Sequence, residues 1–414
     1  MELQTADVAM VLTKQVLLTE ARDHNAVISP ASIHAVLSLI AAGSSGPTRE
    51  QLLSFLNANS IGQLNFHAFQ VASALADGGA GGGPTLSFVN GAWVDKSLSL
   101  RHSFKQVAGS FYKAVPLEVD FKYRASEVAA KVNEWAEKHT NGLIKNVLPP
   151  DGVDGSTRLV FGNALYFKGA WASAFHPSDT KDHDFRLMNG SSVRVPFMAG
   201  NWSTKMQLVS QHFGFKVLSL PYKQGLDKRR FCMHIFLPDF THGLPALIQR
   251  AGFEPGFLAR YVPRKRVKVG ELRIPKLKLR TEMEASRALI GLGLVLPFSG
   301  VEADFSEMVE HSLDDDERLH VSSIFHKSFI EVNEKGTEAA AAAIAAMQPI
   351  CEVDEDEDRF QGIDFVADHP FLFVIQESMS GMVLFTGHIV DPSQCELDRA
   401  DYTGFYGGFD DEFF

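Results

Sequence analysis

The stretch Asn333-Glu334-Lys335-Gly336-Thr337-Glu338, followed by Ala339-Ala340-Ala341-Ala342-Ala343 and Ile344-Ala345-Ala346, decides how this chain is read. Alanine is the strongest helix former, so one reading is a short exposed helix. With period two, Thr337, Ala339, Ala341, Ala343 and Ala345 share one face, and Glu338, Ala340, Ala342, Ile344 and Ala346 share the other. The only charge after Gly336 then lies on a single face, and the opposite face is uniformly small and uncharged. Such a segment can slide between two existing strands and cover a packed core without a clash or a buried charge. Proline would remove ladder donors, and the first one downstream is Pro349. Gly336 supplies a point where the backbone can turn sharply. Periodicity alone leaves helix and waiting strand both open.

Upstream, helical signals dominate. Ser29 before Pro30 is an N-cap with proline at the first helical position, and the apolar run to Ala42 stops at Gly43. Glu127 to Thr140 reads as a second helix, with Val128, Val132 and Trp135 on one face and Asn141-Gly142 as its stop. Gly78 to Gly83, closed by Pro84, reads as a linker. Strand signals are scattered through Leu86–Val94, Leu159–Phe167, Phe231–Leu237, Phe325–Val332 and Phe371–Val390. Without regular β-α alternation, this order predicts an α+β fold.

Composition narrows the function. The 414 residues are 45% hydrophobic and carry a formal net charge of −11, which argues against a general nucleic-acid binder and against attraction to anionic membranes. Val8–Leu18 is interrupted by Lys14 and Gln15 and reads as an amphipathic surface helix, not a leader, so a cytoplasmic location is expected. Cys232, Cys351 and Cys395 are odd in number and widely spaced, as expected of free thiols rather than a disulfide framework or a zinc site. No hydrolase elbow, zinc-protease helix, P-loop or dinucleotide fingerprint occurs, so neither enzyme chemistry, cofactor nor metal is expected. Cys351 sits beside the acidic run Glu352–Asp358, which raises a thiol pKa and opposes use as a nucleophile. The basic clusters Lys228-Arg229-Arg230 and Arg264-Lys265-Arg266 read as solvated surface charge, with a polyanion site as the alternative.

Glu331 to Ala343 resembles the hinge of inhibitory serpins. Ile28-Ser29-Pro30-Ala31-Ser32-Ile33, Asn163-Ala164-Leu165-Tyr166-Phe167-Lys168-Gly169-Ala170-Trp171, Asp368-His369-Pro370-Phe371-Leu372-Phe373 and Gly387-His388-Ile389-Val390-Asp391-Pro392 are similar to other serpin signatures, in the same order. Thr140-Asn141-Gly142-Leu143-Ile144-Lys145 and Phe365-Val366-Ala367-Asp368-His369-Pro370 resemble plant serpins in particular. The resemblance covers about Met1 to Pro392.

It implies one domain over 1–392 with three β-sheets, eight or nine helices and an exposed reactive-centre loop at about 334–362. The tail 393–414 is acidic and aromatic and is expected to be loosely ordered. It also implies a monomer that inhibits endopeptidases irreversibly, as a suicide substrate whose cut loop inserts into the central sheet. Loop insertion is the family's known device, carried over by resemblance. About fourteen residues at roughly 3.3 Å each give a displacement of order 46 Å. About a dozen new ladder bonds supply a driving force on the order of 10 kcal/mol.

Residue by residue, the resemblance gives a hinge at Glu334, Gly336, Thr337, Glu338, Ala339, Ala340, Ala341, Ala342 and Ala343. It gives a polar cluster under the parting strands at Ser29, Ser32, Asn163 and His326, and an entry point at Trp171, Lys276 and Glu334, with a Lys276–Glu334 ion pair. The family's spacing from the hinge glycine reaches the bond Ile350-Cys351, flanked by Met347, Gln348 and Pro349. Plant members often present Leu-Arg there. Ile350 lacks the charge that a trypsin-like pocket needs, so elastase-like, chymotrypsin-like or papain-like targets are expected. The alternative is a non-inhibitory serpin acting as a storage, carrier or interaction protein. Thr337 and the alanines favour inhibition over it.

Overall fold

The computed structural model describes residues 2–74, 82–140, 142, 145–149, 151–200, 206–310, 319–337 and 362–395. Nine α-helices and three sheets are present among them, as expected from the sequence. Ser29 caps the helix Pro30–Gly43 by accepting the Ser32 amide, so the cap read from the sequence is realised. Nearly every residue of this helix is buried, because it lies beneath the central sheet.

That sheet has the order Leu277–Glu284, Ser323–Asn333, Gly336–Thr337, Leu159–Ala170, Thr85–Asp95, Ala114–Val119. Alternation explains its two buried faces. Leu159 and Phe161 point toward the helix Pro30–Gly43, and Leu165 and Phe167 continue that face into the core shared with the second sheet. Val160, Ala164 and Tyr166 point the other way, against Val128, Ala129, Val132 and Ala136 of the helix Phe121–His139. Ser323–Phe329 runs parallel to Val160–Tyr166 in direct contact, with His326 opposite Asn163.

Three sequence readings are corrected. The second helix starts at Phe121, not Glu127, with Asp120 accepting the Tyr123 amide as its cap. Arg124 is non-helical (φ −140°, ψ 35°), and this kink breaks the periodicity that would have revealed the first turn. Its stop is realised: Gly142 has φ +79° and its amide bonds to Glu137 O at 2.8 Å. Phe371–Val390 is two paired strands, Phe371–Glu377 and Val383–Ile389, because the Glu377 carboxylate accepts the amides of Met379 and Ser380 and turns the chain. Last, Gly336 and Thr337, assigned to an exposed loop, are buried strand residues.

Those two paired strands lie in a seven-stranded sheet behind the central one, ordered Ala26–Ile28, Val383–Ile389, Phe371–Glu377, Phe231–Pro238, Phe215–Pro221, Met206–His212, Val267–Lys268. A third, four-stranded sheet is ordered Phe365–Val366, Leu272–Pro275, Ser192–Ala199, Lys181–Arg186. The N-terminal helix, Glu2–Gln15, buries Ala9, Met10 and Leu12.

Candidate functional site

At one end of the central sheet the two middle strands separate, and a tight hairpin fills the gap. Asn333 ends its strand and its Oδ1 accepts the Lys335 amide at 3.0 Å, closing the turn. Gly336 and Thr337 then run antiparallel to Asn333 and Val332 on one side and to Ala170 and Gly169 on the other. Glycine is required here: φ is +154°, and a Cβ would lie 2.6 Å from Ala170 Cα and closer still to the Gly169 carbonyl oxygen.

Trp171 holds the hairpin twice, its indole N–H donating to Asn333 O at 2.9 Å and its amide to Lys335 O at 2.9 Å. Its ring stacks on Tyr222, with centroids 4.6 Å apart. The Tyr222 hydroxyl reaches Thr337 Oγ1 at 2.7 Å, and Thr337 is fully buried. Burial pushes the Tyr222 phenol far above its ordinary value, so it stays neutral. Lys276 Nζ lies 3.2 Å from Glu334 Oε2, while Thr180 Oγ1 donates to Glu334 Oε1 at 2.8 Å. Both charged side chains are largely buried, which strengthens the pair relative to one in open solvent.

Halfway down the same strands lies a buried polar cluster. His326 Nδ1–H donates to Asn163 Oδ1 at 2.6 Å, and Nε2 accepts from the Ser29 amide at 3.0 Å and the Ser328 hydroxyl at 2.8 Å. The Ser32 hydroxyl donates to Ser29 O at 3.0 Å and lies 3.5 Å from His326 Nδ1. Burial holds the His326 pKa down to about 3, so the imidazole is neutral and can accept at Nε2. Helix, strand and strand are thus tied through one ring. Beside it, buried Lys327 donates to the carbonyls of Lys145 and Asn146 and pairs with Glu282.

The structure therefore brings Trp171, Lys276, Glu334, Gly336 and Thr337 together at the sheet end, and Ser29, Ser32, Asn163 and His326 together in its middle. Glu338, Ala339, Ala340, Ala341, Ala342, Ala343, Met347, Gln348, Pro349, Ile350 and Cys351 lie outside the described residues. Sequence reasoning missed Tyr222, Thr180 and Ser328. Pro221 marks the strand end before Tyr222, but nothing local announces a partner 115 residues away. Cys232 and Cys395 are buried free thiols, pushed by burial up to about 12 and about 11. Among the described residues no group of three or more His, Cys, Asp or Glu is placed to hold a metal, and no helix is long and apolar enough to cross a membrane.

A sheet whose middle strands part around the seated start of a polyalanine segment marks out a class of protein, and comparison with known sequences names it. The family model described as serpin (serine protease inhibitor) matches residues 3–392, and this chain belongs to that family. Among its relatives, Serpin-ZX of Arabidopsis thaliana is 51% identical over 386 residues, covering 93% of this chain and 96% of the relative. Serpin-Z2B of Triticum aestivum is 49% identical over 374 residues, covering 90% and 91%. The solved structure of Arabidopsis AtSerpin1 in its native stressed conformation superposes with a TM-score of 0.86 at 48% identity, covering 95% of this chain and 99% of that one. Serpin48 of the insect Tenebrio molitor superposes with a TM-score of 0.78 at 28% identity, covering 94% and 98%.

Proposed function

We propose that this chain is an irreversible suicide-substrate inhibitor of endopeptidases, in which the segment after Thr337 enters the central sheet once the loop is cut at Ile350-Cys351. The observation that carries this reading is the register of Gly336 and Thr337, already paired with both middle strands. Continued in that register, Ala339 sits opposite Phe167, and Ala343 falls between Asn163 and His326. Thr337, Ala339, Ala341 and Ala343 then face the core, and Ala340 and Ala342 face the helix Phe121–His139, so every inward position is small.

The same register explains a polar lock in an apolar core. Insertion must part the Asn163–His326 bond, which holds the uncut sheet shut. Asn163 Nδ2 is buried without a partner among the described residues, and an arriving strand brings carbonyls to that place. We assign the hinge to Glu334 and to Gly336 through Ala343, the lock to Ser29, Ser32, Asn163 and His326, and the entry point to Trp171, Lys276 and Glu334. The targets are serine endopeptidases of elastase-like or chymotrypsin-like preference and papain-like cysteine endopeptidases; an aliphatic Ile350 disfavours trypsin-like ones. The inhibitor works as a cytoplasmic monomer, with 1–392 as its domain and 393–414 as an appendage.

The test incubates the chain with one protease of each class and runs denaturing gels. An elastase-, chymotrypsin- or papain-class enzyme is expected to give a covalent complex, and the released fragment to begin at Cys351. Thr337→Arg places a charge where Thr337 has no exposure and is expected to convert inhibitor into cleaved substrate. Absence of any covalent complex, or an undiminished one with Thr337→Arg, overturns the mechanism.

A further inference from the structure

We propose that the acidic run Glu352-Val353-Asp354-Glu355-Asp356-Glu357-Asp358 docks within its own chain on a basic groove rimmed by Arg260, Arg264 and Lys265. The groove has a volume of about 620 Å³, is walled by Tyr261, Val262 and Ile363, and has Arg260, Arg264 and Lys265 on its rim. From Arg260 to Gly270 the sequence carries Arg260, Arg264, Lys265, Arg266 and Lys268 and no carboxylate. Arg260 is paired with Glu254. Arg264 and Arg266 bond only to carbonyl oxygens, of Ala259 at 3.0 Å and Met206 at 3.1 Å, and these do not cancel their charge. Arg264, Lys265 and Arg266 are all exposed. The result is a concave surface on which, among the described residues, Arg264, Lys265 and Arg266 have no carboxylate within ion-pair distance.

The choice of occupant follows from the connectivity of the chain. Ile363 is itself part of the groove wall, and its amide donates to Lys268 O at 3.1 Å. Asp358 lies only five residues upstream of Ile363, and Glu352 eleven. At roughly 3.3 Å per residue these tethers span at most about 17 and 36 Å, so the whole run is leashed to the groove. A short tether gives an effective concentration of order millimolar, which favours the chain's own carboxylates over a free polyanion, a second copy or an acidic rim on another protein. Six carboxylates in seven residues meet Arg264 and Lys265 on the rim, with Arg266 and Lys268 next to them in sequence, and like-charge repulsion within the run is relieved on docking. Because the run follows Ile350-Cys351, docking anchors the C-terminal side of the loop to the body. The docking needs no protease; only its placement relative to the scissile bond rests on the proposed function.

The test is zero-length carbodiimide cross-linking of the full chain at low salt, with peptide mapping of the monomer band. Lys276–Glu334, at 3.2 Å, is the internal control for both reaction and fold. Links from the run 352–358 to Lys265 or Lys268 are expected. They are expected to fall about fivefold at 0.5 M salt, where the screening length is about 4 Å, while the control link persists. The double variant Arg264→Glu/Arg266→Glu keeps both lysines and is expected to lose the loop links while retaining the control. The proposal is overturned if the control link forms without loop links. It is equally overturned if loop links arise only in dimers, which makes a second copy the occupant, or persist in the double variant, which reduces them to tethered proximity.

Discussion

Replacing Gly336 by alanine probes the seated hairpin most directly. The new Cβ would meet Ala170 Cα at 2.6 Å and approach the Gly169 carbonyl even more closely, and both obstacles are backbone. Neither can rotate away, so the two-residue strand must leave the sheet. It gives up its pairings with Val332, Asn333, Gly169 and Ala170 and the buried Tyr222–Thr337 hydrogen bond. Taking one ladder bond to each neighbouring strand plus the Tyr222 bond, about three bonds at about 1 kcal/mol net each give a loss of about 3 kcal/mol. Unfolding entropy of about 2.1 cal/mol/K per residue over 414 residues amounts to about 0.9 kcal/mol/K, so the thermal midpoint should fall by about 3 °C. Hydrogen exchange at the Thr337 amide should rise by about two orders of magnitude, since 1.4 kcal/mol is tenfold. Differential scanning at a fixed heating rate and exchange mass spectrometry read the two effects. An unchanged midpoint with full protection at Thr337 would mean that the hairpin is not wedged between the strands, and the register argument would fail with it.

Three further outcomes follow from the same geometry. Glu334→Gln removes the charge facing Lys276 in a largely buried setting, costing about 1–2 kcal/mol; native gels after mild heating should show faster self-association, and wild-type behaviour would refute a role for the pair at the entry point. Tyr222→Phe removes the Thr337 partner and should raise exchange at Thr337 about fivefold, worth about 1 kcal/mol, with the Trp171 stacking platform intact; no change would show that the hydroxyl contributes nothing there. Burial lowers His34 and His326 to about 3 and His234 and His388 to about 4. The unfolded chain binds protons at these histidines below about pH 6.5 and the native chain does not, so stability is fully present above that pH. It falls as pH drops from 6.5 toward 4, by up to about 1.4 kcal/mol per pH unit for each histidine. A thermal midpoint that stays flat between pH 7 and 5 contradicts this assignment.

Much of the fold was legible because its signals are local. Ser29-Pro30 is a cap written in adjacent letters, and Leu159–Phe167 is almost wholly apolar, Asn163 being its one strongly polar residue, because both of its faces are covered. The helix start at Phe121 was not legible, since the Arg124 kink shifts the phase of its apolar stripe. The turn after Glu377 was missed because it depends on a side chain bonding to amides a few residues ahead, and the hydrophobic run gives no warning of it. At the site, residues within quoted motifs were found and Tyr222 was not, because its significance lies in stacking under Trp171 and reaching Thr337 across the fold. The seating of Gly336 and Thr337 was also illegible: Gly-Thr reads equally as a turn or as a strand, and only the close approach of Gly169 and Ala170 decides between them.

That hairpin also bears on timing. Adding a strand to a sheet is slow to start, because the ends of a loop must be brought together before the first contact repays the lost freedom. Here the ring is already closed by the Asn333 turn and its first two rungs are made. If the segment enters the sheet as proposed, what remains is propagation, each added residue gaining its bonds as it is fixed, like a zip fastener whose slider is already engaged. Under the proposed mechanism, a race between sheet growth and hydrolysis by a captured enzyme would run without a starting delay.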